Sequence, residues 1–413
     1  MKQGWLIKKL GCLCSFERGL TYSKGDEAAI STKGVLRSNN VDLSSNTLNF
    51  DEIKYLKDDI DIPVSKKVKR NSILMCMSNG SKAHLGKVAI IEDDLDYAFG
   101  GFMGLLVPDE EAVFPRYFYY ALITPMYKSF IKSLSDGANI NNLKFADLKE
   151  FEIPVPSISE QQRIVALLDA EFAKIDALKA NAEKNLQNAK DLFQAALNEL
   201  IIENGKLKGG KRKSVKLKTI CSKIGSGATP LGGKSTYGKE GVSLIRSLNV
   251  HNNEFHYEDL AHINEEQARQ LSNVEIKEDD VLFNITGASV TRCCKVPKDV
   301  LPARVNQHVS ILRLLPNTLL PNFLVYTMIS PHHNSALMKM AENGATRQAI
   351  TKKQLEEWEI EYPEAIAEQQ SIVARLDTLD EKCKTLQANY EKTLSLCDDL
   401  KQALLRKAFN GEI

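Results

Sequence analysis

Residues 151–169 read FEIPVPSISEQQRIVALLD, and residues 358–377 read WEIEYPEAIAEQQSIVARLD. Both stretches carry Glu-Gln-Gln, at 160–162 and at 368–370, an offset of 208 residues. In each, a short segment with β-branched residues and proline precedes the triplet, and a long run without proline or glycine follows it. This pattern predicts one strand-to-helix junction that occurs twice in the chain.

The repeat extends over the whole sequence of 413 residues. Asp136-Gly137-Ala138 matches Asn343-Gly344-Ala345 at an offset of 207, and Asn204-Gly205 matches Asn410-Gly411 at the close of each half. Solenoid repeats are roughly 20–50 residues long, so this period indicates two homologous halves instead. Each half is predicted to hold a mixed α/β head followed by one long helix.

Both long helices carry an apolar seam. In the second helix, seam residues recur at alternating spacings of four and three, as in a coiled coil, and the first helix is similar but looser. Ser159 is available as the N-cap of the first helix. The predicted seam residues are Ile164, Leu168, Ile175 and Leu178 in the first helix, and Ile372, Leu376, Leu379, Leu386, Leu400 and Leu404 in the second.

A helix of about 43 residues is roughly 64 Å long and cannot bury such a seam alone. We expect the two seams to pack on each other within the chain; the alternative is two separate dimerisation arms. A tandem duplication favours a pseudo-twofold axis, which makes the helices antiparallel and places the heads at opposite ends. The expected fold class is α+β, with two mixed α/β heads joined by two long antiparallel helices that form an intramolecular coiled coil.

Composition excludes several classes of protein. The chain has 54 Lys and Arg against 53 Asp and Glu, so it is neither a histone-like polycation nor an acidic disordered chain. No apolar run approaches the roughly 18 residues of a transmembrane helix, and residues 1–10 do not read as a secretory signal. None of the eight cysteines forms a C-x-x-C pair, so no zinc ribbon is indicated. Reduced thiols and a cytoplasmic location are expected.

The sequence offers no catalytic constellation. The glycine-rich stretch 225–235 resembles a phosphate loop but has Ala228 where the first glycine is required. There is no H-E-x-x-H motif, and the Asn/Asp-Pro-Pro-aromatic motif of amino-methyltransferases is absent. We therefore expect no catalytic residue and no metal site in this chain.

Basic residues are concentrated in two places. Residues 204–218 contain seven basic residues and no acidic one, and Lys66, Lys67, Lys69 and Arg70 form a second cluster. Such clusters are either solvated loops or contacts to nucleic-acid phosphates.

Together these features resemble the specificity (S) subunit of type I restriction–modification systems, over the whole chain. The markers are Ile153-Pro154 through Pro156, leading to residues 160–165, and the repeat of the triplet at 368–373. Residues 404–413 look like the C-terminus of that family, and residues 227–230, Gly-Ala-Thr-Pro, look like the turn that opens a recognition domain. The first half departs from that turn at Tyr22, where the proline is missing.

The resemblance implies a non-catalytic reader of double-stranded DNA in which each head recognises one half of a split site. It also implies that the helices set the unread spacer and dock two modification (methyltransferase) subunits, that restriction (translocase and nuclease) subunits join the complex, and that no membrane is involved. This chain would bind no cofactor, since S-adenosylmethionine, ATP and Mg would be held by the partners. The implied domains are target recognition domain 1 (1–158), spacer helix 1 (159–203), a basic linker (204–214), target recognition domain 2 (215–366) and spacer helix 2 (367–413).

The DNA-contacting residues can be nominated only by type. Arginine suits guanine, and asparagine or glutamine suits adenine, in the major groove. Residues 37–41 and 246–250 occupy equivalent positions, which favours them. The candidates are Arg37, Asn39, Asn40, Asn79, Lys82 and His84 in the first head, with the cluster Lys66, Lys67, Lys69 and Arg70, and Arg246, Asn249, Thr286, Ser289, Arg292, Gln307 and His308 in the second.

Two other functions remain open from the sequence. One is a fused methyltransferase–nuclease, which the chain is too short to accommodate beside two heads and two helices. The other is a coiled-coil scaffold with two protein-binding heads.

Overall fold

The computed structural model describes residues 4–136, 142–203, 211–230, 232–342 and 348–413. These residues form two compact units. Unit 1 comprises Met1–Ala182 and Lys392–Ile413, and unit 2 comprises Glu183–Glu391. Each unit therefore contains one head together with a part of each long helix.

In unit 1, the head alternates short strands and turns before its helices. The strands are β1 (Leu6–Lys9), β2 (Cys14–Arg18), β3 (Glu27–Ala28), β4 (Lys33–Leu36), β5 (Lys54–Leu56), β6 (Ile73–Cys76), β7 (Val88–Ile90), β8 (Tyr97–Phe99), β9 (Met103–Pro108) and β10 (Glu152–Val155). The helices are α1 (Pro115–Ala121), α2 (Pro125–Asp136), α3 (Phe145–Leu148) and the long α4 (Ile158–Leu197), which continues as a π-helical turn over Asn198–Glu203.

The strands of unit 1 form three sheets. One is antiparallel in the order β2-β9-β6-β7, and a second has the order β3-β5-β4-β8 with β4 and β8 parallel. The third pairs β1 with β10 in antiparallel fashion, which joins the start of the head to the strand just before α4. This pairing closes the head at the point where the long helix begins.

Unit 2 repeats this plan. Its strands are β11 (Arg212–Lys216), β12 (Cys221–Ser226), β13 (Val242–Ile245), β14 (Val250–His251), β15 (Glu254–Phe255), β16 (Ala261–Ile263), β17 (Val281–Asn284), β18 (Cys293–Lys295), β19 (Ala303–Val305), β20 (Val309–Leu314) and β21 (Glu359–Pro363). Its helices are α5 (Leu217–Ile220), α6 (Glu265–Gln270), α7 (Pro321–Ile329), α8 (Pro331–Glu342), α9 (Lys352–Glu356) and the long α10 (Ile366–Asn410).

The duplication is visible in the sheet order. The sheet β12-β20-β17-β18 corresponds to β2-β9-β6-β7, the parallel pair β13 and β19 corresponds to β4 and β8, and β11 pairs with β21 as β1 pairs with β10. The predicted tandem repeat of a mixed α/β head and a long helix is confirmed.

The middle glutamine of each Glu-Gln-Gln triplet connects the head to its long helix through hydrogen bonds. Gln161 is fully buried; its Oε1 accepts a hydrogen bond from Phe114 N at 2.7 Å, and its Nε2 donates to Pro156 O at 2.9 Å. Gln369 makes the same pair of bonds with Leu320 N (3.0 Å) and Pro363 O (2.9 Å). Each glutamine thereby pairs backbone groups at a helix start that would otherwise be unsatisfied.

The first long helix begins one residue earlier than predicted, at Ile158. The serine that precedes it is Ser157, whose Oγ accepts from Glu160 N at 3.4 Å; Ser159 lies inside the helix, so its prediction as the N-cap was wrong. The second long helix begins at Ile366.

Most of the basic segment 204–218 that the structure describes is paired within the second head. Residues 204–210 lie outside the described residues, whereas Arg212–Lys216 forms β11 beside β21. The ion pairs are Arg212 with Glu361 (2.9 Å), Lys213 with Glu364 (2.8 Å), and Lys216 and Lys218 with Glu357. These side chains are therefore bonded within the head, and the division of the chain at 204–214 stays a prediction.

Within unit 1, the two helix segments run antiparallel. Asp176 pairs with Lys401 and Lys179 with Asp398 (2.9 Å), so the partner number falls as the residue number rises. Arg163 donates to the main-chain oxygen of Ile413 at 2.8 Å, in the same order. The predicted antiparallel packing of the two helices within one chain is confirmed for this unit.

The predicted seam is only partly buried. Ile164, Leu168, Ile175, Ile372 and Leu376 are buried, and Leu379 and Leu404 are partly buried. Leu178, Leu386 and Leu400 are instead 50%, 40% and 48% exposed, so their assignment to the seam was wrong. Small residues that continue the same heptad are buried: Ala182 and Cys397 in unit 1, and Ala189 and Cys383 in unit 2.

The heads share their cores with the helix ends. In unit 1, Ile164 and Leu168 of α4 and Leu405 and Phe409 of α10 belong to the cluster that includes the head residue Tyr117. The Tyr117 and Phe409 ring centroids are 4.7 Å apart. In unit 2, the corresponding cluster joins head residues to both helix segments. Among the described residues, no helix is long and apolar enough to cross a bilayer.

Candidate nucleic-acid interface

In the first head, a glycine brings two turns into close contact. Gly19 N donates to Met103 O at 3.1 Å, and Leu20 N donates to Phe99 O at 2.7 Å. A Cβ on Gly19 would lie 2.0 Å from Gly100 O, so no other residue fits there. The turn after β2 is therefore pressed against residues 100–102, which connect β8 to β9.

A second turn, over residues 37–41, follows β4 and lies beside the first. Its geometry depends on Asn40, which is fully buried: Arg37 N donates to Asn40 Oδ1 at 2.8 Å, and Asn40 Nδ2 donates to Asn49 O at 3.0 Å. The Asn40 amide is thus engaged by the backbone of the head. Asn40 therefore stabilises the turn, and only the residues next to it reach the surface.

These turns surround a cavity of about 710 Å³. Three of the predicted residues line it: Arg37, Asn39 and Asn79. Asn79 Nδ2 donates to Ser38 Oγ at 2.8 Å, and Asn39 Nδ2 donates to Glu52 O at 3.1 Å, so both side chains are oriented. Arg37 Nε is buried and has no hydrogen-bond partner among the described residues. The Arg37 side chain therefore lines the cavity, with its Nε unpaired and shielded from solvent.

The cavity also contains residues that the sequence reasoning did not nominate. Tyr22, Lys24, Glu27 and Phe102 line it. Burial raises the pKa of the Tyr22 hydroxyl, and the nearby Arg37 charge opposes this shift. Donors and acceptors are thus both present on its wall.

The other candidates in the first head lie outside this cavity. Lys82 donates to Ser135 O at 2.9 Å and lines a different depression, and His84 is partly buried in the same turn. Lys66 donates to Arg18 O at 2.7 Å, and Lys67 pairs with Asp96 at 2.6 Å. Lys69 and Arg70 are exposed.

The second head repeats the contact between turns. A Cβ on Gly227 would lie 1.6 Å from Val305 O, and Gly227 N donates to Asn306 O at 3.1 Å. Asn249 is buried and supports its turn as Asn40 does: Arg246 N donates to its Oδ1 at 3.1 Å. The Arg246 guanidinium donates to Asp259 O and lies 5.6 Å from the Tyr237 ring centroid, and its Nε, like that of Arg37, is buried without a hydrogen-bond partner among the described residues.

Three predicted residues of the second head meet at this contact. Thr286 Oγ1 and His308 Nδ1 are 2.6 Å apart, and Gln307 Nε2 and His308 Nε2 are 3.1 Å apart. Gln307 also bonds to Thr229 of the turn at 227–230. Both ring nitrogens of His308 are engaged, so its ring is held in one orientation.

Arg292 and Ser289 follow Thr286 in the turn between β17 and β18. Arg292 approaches His251 Nε2 at 3.4 Å, and the His251 and His256 rings stack with centroids 3.6 Å apart. Burial, followed by the charges of His256 and Arg292, lowers the pKa of His251. Ser289 lies in a short turn and accepts from Arg292 N at 3.2 Å.

Comparison with known proteins gives this paired arrangement a context. The family model of the type I restriction modification DNA specificity domain matches the chain twice, over residues 2–188 and 210–395. The chain belongs to this family. The two matches coincide with the two copies that the sequence repeat and the sheet order define.

Relatives of this DNA specificity family match along the full chain. The specificity subunit of the type I restriction enzyme EcoKI from Escherichia coli (strain K12) is 26% identical over 431 residues, covering 100% of this chain and 90% of its own length. The specificity subunit of the type I restriction enzyme StySPI from Salmonella potsdam is 27% identical over 433 residues, with the same two coverages.

Solved structures agree on the fold. A chain from a study of complex assembly and conformational transition of the type I R-M system superposes with a TM-score of 0.79 at 20% identity, covering 100% of this chain and 99% of that one. The HsdS subunit from Thermoanaerobacter tengcongensis gives 0.57 at 19% identity, with coverages of 100% and 98%. At this identity the likeness shows the fold alone.

The equivalence of the two copies identifies two further candidate residues, Phe102 and Thr229, that the sequence alone did not nominate. Phe102 of the first head is equivalent to His308 of the second. Phe99, three residues before Phe102, pairs with β4, and Val305, three residues before His308, pairs with the equivalent strand β13. Aligning the two copies through these strands would have nominated Phe102. Thr229 could have been found in the same way, from the turn that resembles the family. Among the described residues, no group of three or more His, Cys, Asp or Glu side chains could hold a metal ion.

Proposed function

We propose that each head of this specificity-family chain reads one half of a bipartite site in double-stranded DNA. The observation that carries the proposal is the paired contact between turns, which in both heads brings polar side chains of the nominated types to one place. Arg37, Asn39 and Asn79 meet in the first head, and Thr286, Gln307 and His308 meet in the second. Side chains of these types read base edges in the major groove.

Phosphate contacts would supply the rest of the affinity. Lys69 and Arg70 are exposed next to the first head's β6 and are the best placed of the basic cluster, because Lys66 and Lys67 already bond to Arg18 and Asp96. Neutralised phosphates release counterions, so binding through these residues weakens as salt rises. The basic residues of β11, which are already paired within the head, contribute little to the affinity for phosphates.

Exposed leucines support the docking of two modification subunits. Leu178 and Leu386 are equivalent at an offset of 208, and so are Leu192 and Leu400; all four are 40–50% exposed. Unit 1 contains Leu178 and Leu400, and unit 2 contains Leu192 and Leu386. Exposed apolar side chains that recur at equivalent positions favour protein contacts, and two equivalent sets favour two copies of one partner.

The proposed role as a DNA reader also assigns catalysis and cofactor binding to the partner subunits. The chain is non-catalytic and positions methyltransferase subunits, and restriction subunits complete the complex. S-adenosylmethionine, ATP and Mg are assigned to those partners and not to this chain. The helices separate the two half-sites, and the complex acts on DNA in the cytoplasm.

The test is to express the chain with its methyltransferase subunit and to sequence the methylated bases genome-wide. The proposal expects methylated adenines in a split, asymmetric sequence with a constant unread gap. Arg37→Ala should relax or weaken one half and Gln307→Ala the other, while Arg269→Ala, an exposed arginine on α6, should change neither. A continuous recognition sequence, or variants that each affect both halves, would contradict the assignment of one half per head.

A further inference from the structure

The turn between β8 and β9 of the first head presents an exposed aromatic ring on a fixed backbone. Phe102 is 72% exposed, whereas its main-chain oxygen accepts hydrogen bonds from Met77 N at 2.9 Å and Ser78 N at 3.1 Å. Gly100 N donates to Leu36 O at 2.9 Å, and Met103 N donates to Gly100 O at 2.8 Å. The turn is therefore bonded on both sides of the ring that it exposes.

The ring stands at the rim of the cavity that contains Arg37. A cavity of about 710 Å³ lies within the size range of small-molecule sites, which is roughly 300–1,000 Å³, and is large enough for one nucleotide. Its wall includes the Arg37 side chain and the amides of Asn39 and Asn79, which hydrogen bonds to Glu52 O and Ser38 Oγ hold in place. These groups match the donors and acceptors on the edge of a nucleobase.

The second head lacks this combination. Its equivalent residue is His308, which is half-buried and bonded to Thr286 and Gln307, and Arg246 donates to Asp259 O. No exposed aromatic ring is found at this position among the described residues of the second head, whereas Arg246 Nε is buried and unpaired as Arg37 Nε is. The duplicated heads thus differ at one turn, in a way that bears on how each would read DNA.

We propose that the first head unstacks one base of its half-site. Phe102 takes the place of that base in the stack, and the displaced base enters the cavity, where Arg37 contacts its edge. Apolar and aromatic side chains that enter a base stack, and pockets that receive an extruded base, are established ways for proteins to handle duplex DNA. The second head reads its half without unstacking. This inference rests on the proposed function of the heads as readers of duplex DNA.

The experiment uses the full chain assembled with its methyltransferase subunits on DNA that carries 2-aminopurine in place of each adenine in turn, with permanganate reactivity measured at the thymines. We expect at least one unstacked position in the half-site of the first head, several-fold above the free duplex. Phe102→Ala should abolish that signal and weaken specific binding by roughly 10- to 100-fold, because stacking of a base on an aromatic residue carries that much affinity. Phe102→Trp should retain both.

Two controls make the result specific. Val64→Ala removes another exposed apolar side chain of the same head, 77% exposed and outside the cavity, and should leave the signal unchanged. Adenines extruded by the methyltransferase itself should remain reactive in Phe102→Ala, so only the signal lost in that variant belongs to Phe102. Thermal unfolding of Phe102→Ala should match the unmodified chain, since the ring packs little within the fold.

The outcomes separate this inference from the proposed function. A complex that methylates a bipartite site but shows no Phe102-dependent unstacking overturns the inference and leaves the proposed function standing. A Phe102-dependent signal that falls in the half-site of the second head also overturns it. A complex that binds no bipartite site overturns both.

Discussion

Buried polar side chains, one per copy, connect each head to a long helix. Gln161 and Gln369 are 0% exposed and bond through both ends of the amide to backbone groups at the start of a helix and the end of a strand. A buried polar group left without a partner costs roughly 1–3 kcal/mol. This explains why the triplet is repeated with glutamine in its middle position, where glutamate or leucine could not satisfy a donor and an acceptor together.

Replacing Gln161 by leucine should lower the free energy of unfolding by about 3 kcal/mol. Phe114 N–H and Pro156 C=O would both lose their bond at a site where Gln161 is fully buried. Urea unfolding monitored by circular dichroism measures the change. Gln162→Leu is the matched control, because Gln162 is exposed and should shift stability by less than about 0.5 kcal/mol. Equal effects from the two substitutions would contradict this role.

A buried histidine should make the second head sensitive to acid. His333 is 7% exposed and packs against Trp358, and burial lowers its pKa to about 4. The unfolded chain, with a pKa near 6.5, binds a proton between these values that the folded chain does not, so stability falls as pH drops through this window, by up to about 3 kcal/mol. Unfolding midpoints at pH 7.5 and pH 5 test this.

His333→Leu should reduce that loss, and His332→Leu, at the exposed neighbouring position, should leave it in place. The same pH dependence in both variants would show that His333 is not its source.

At the scale of the element, each long helix has a buried stripe with exposed leucines along its edge. The stripe consists of small residues and of residues that join the head cores, and Leu178, Leu192, Leu386 and Leu400 are exposed beside it at equivalent positions of the two copies. A heptad pattern alone assigns three of these leucines to the buried seam, because periodicity cannot distinguish a side chain that packs within the chain from one that awaits a partner.

Changing Leu178 and Leu400 together to glutamate should remove one methyltransferase subunit from the complex and retain the other, since Leu192 and Leu386 stay intact. Native mass spectrometry should show the ratio fall from two subunits per chain to one. Ala180→Glu with Ser395→Glu adds the same charge at exposed positions of the same unit and should leave the ratio at two. Loss of both subunits, or of neither, would contradict two independent docking surfaces.

At the scale of the whole molecule, the duplication gives two heads that share a plan and differ in their surface residues. The sheets, the glycine contacts and the glutamine ties recur, whereas the side chains around Gly100 and Asn306 do not. We therefore expect the two heads to act as separable modules.

Exchanging the second head, residues 215–366, for that of another family member should change one half of the methylated sequence and leave the other unchanged. Each head has its own core and its own set of turns, so no contact within the first head is altered. Genome-wide methylation mapping measures the result. A change in both halves would contradict modularity.

Inserting one helical turn into both long helices should lengthen the unread gap by one or two base pairs. Four residues add about 6 Å, and base pairs are spaced at roughly 3.4 Å. The same mapping shows the gap directly. Four residues inserted in the exposed loop after Asp59 should leave it unchanged, and an active complex with an unaltered gap after the helix insertion would show that the helices do not set the spacing.

The sequence by itself determined the tandem duplication, the two long helices, their place after each head and the family to which the chain belongs. These follow from local periodicity and from motifs repeated at a constant offset, which need no knowledge of distant contacts. The tertiary structure alone decided that Asn40 and Asn249 support turns, that the basic residues of β11 are paired with β21 and residues beside it, that three predicted seam leucines are exposed, and that Phe102 stands beside Arg37. The physical reason is the same in each case: burial and pairing depend on neighbours that are far apart along the chain, so a residue's type shows what it can bond to but not which partner the fold places beside it.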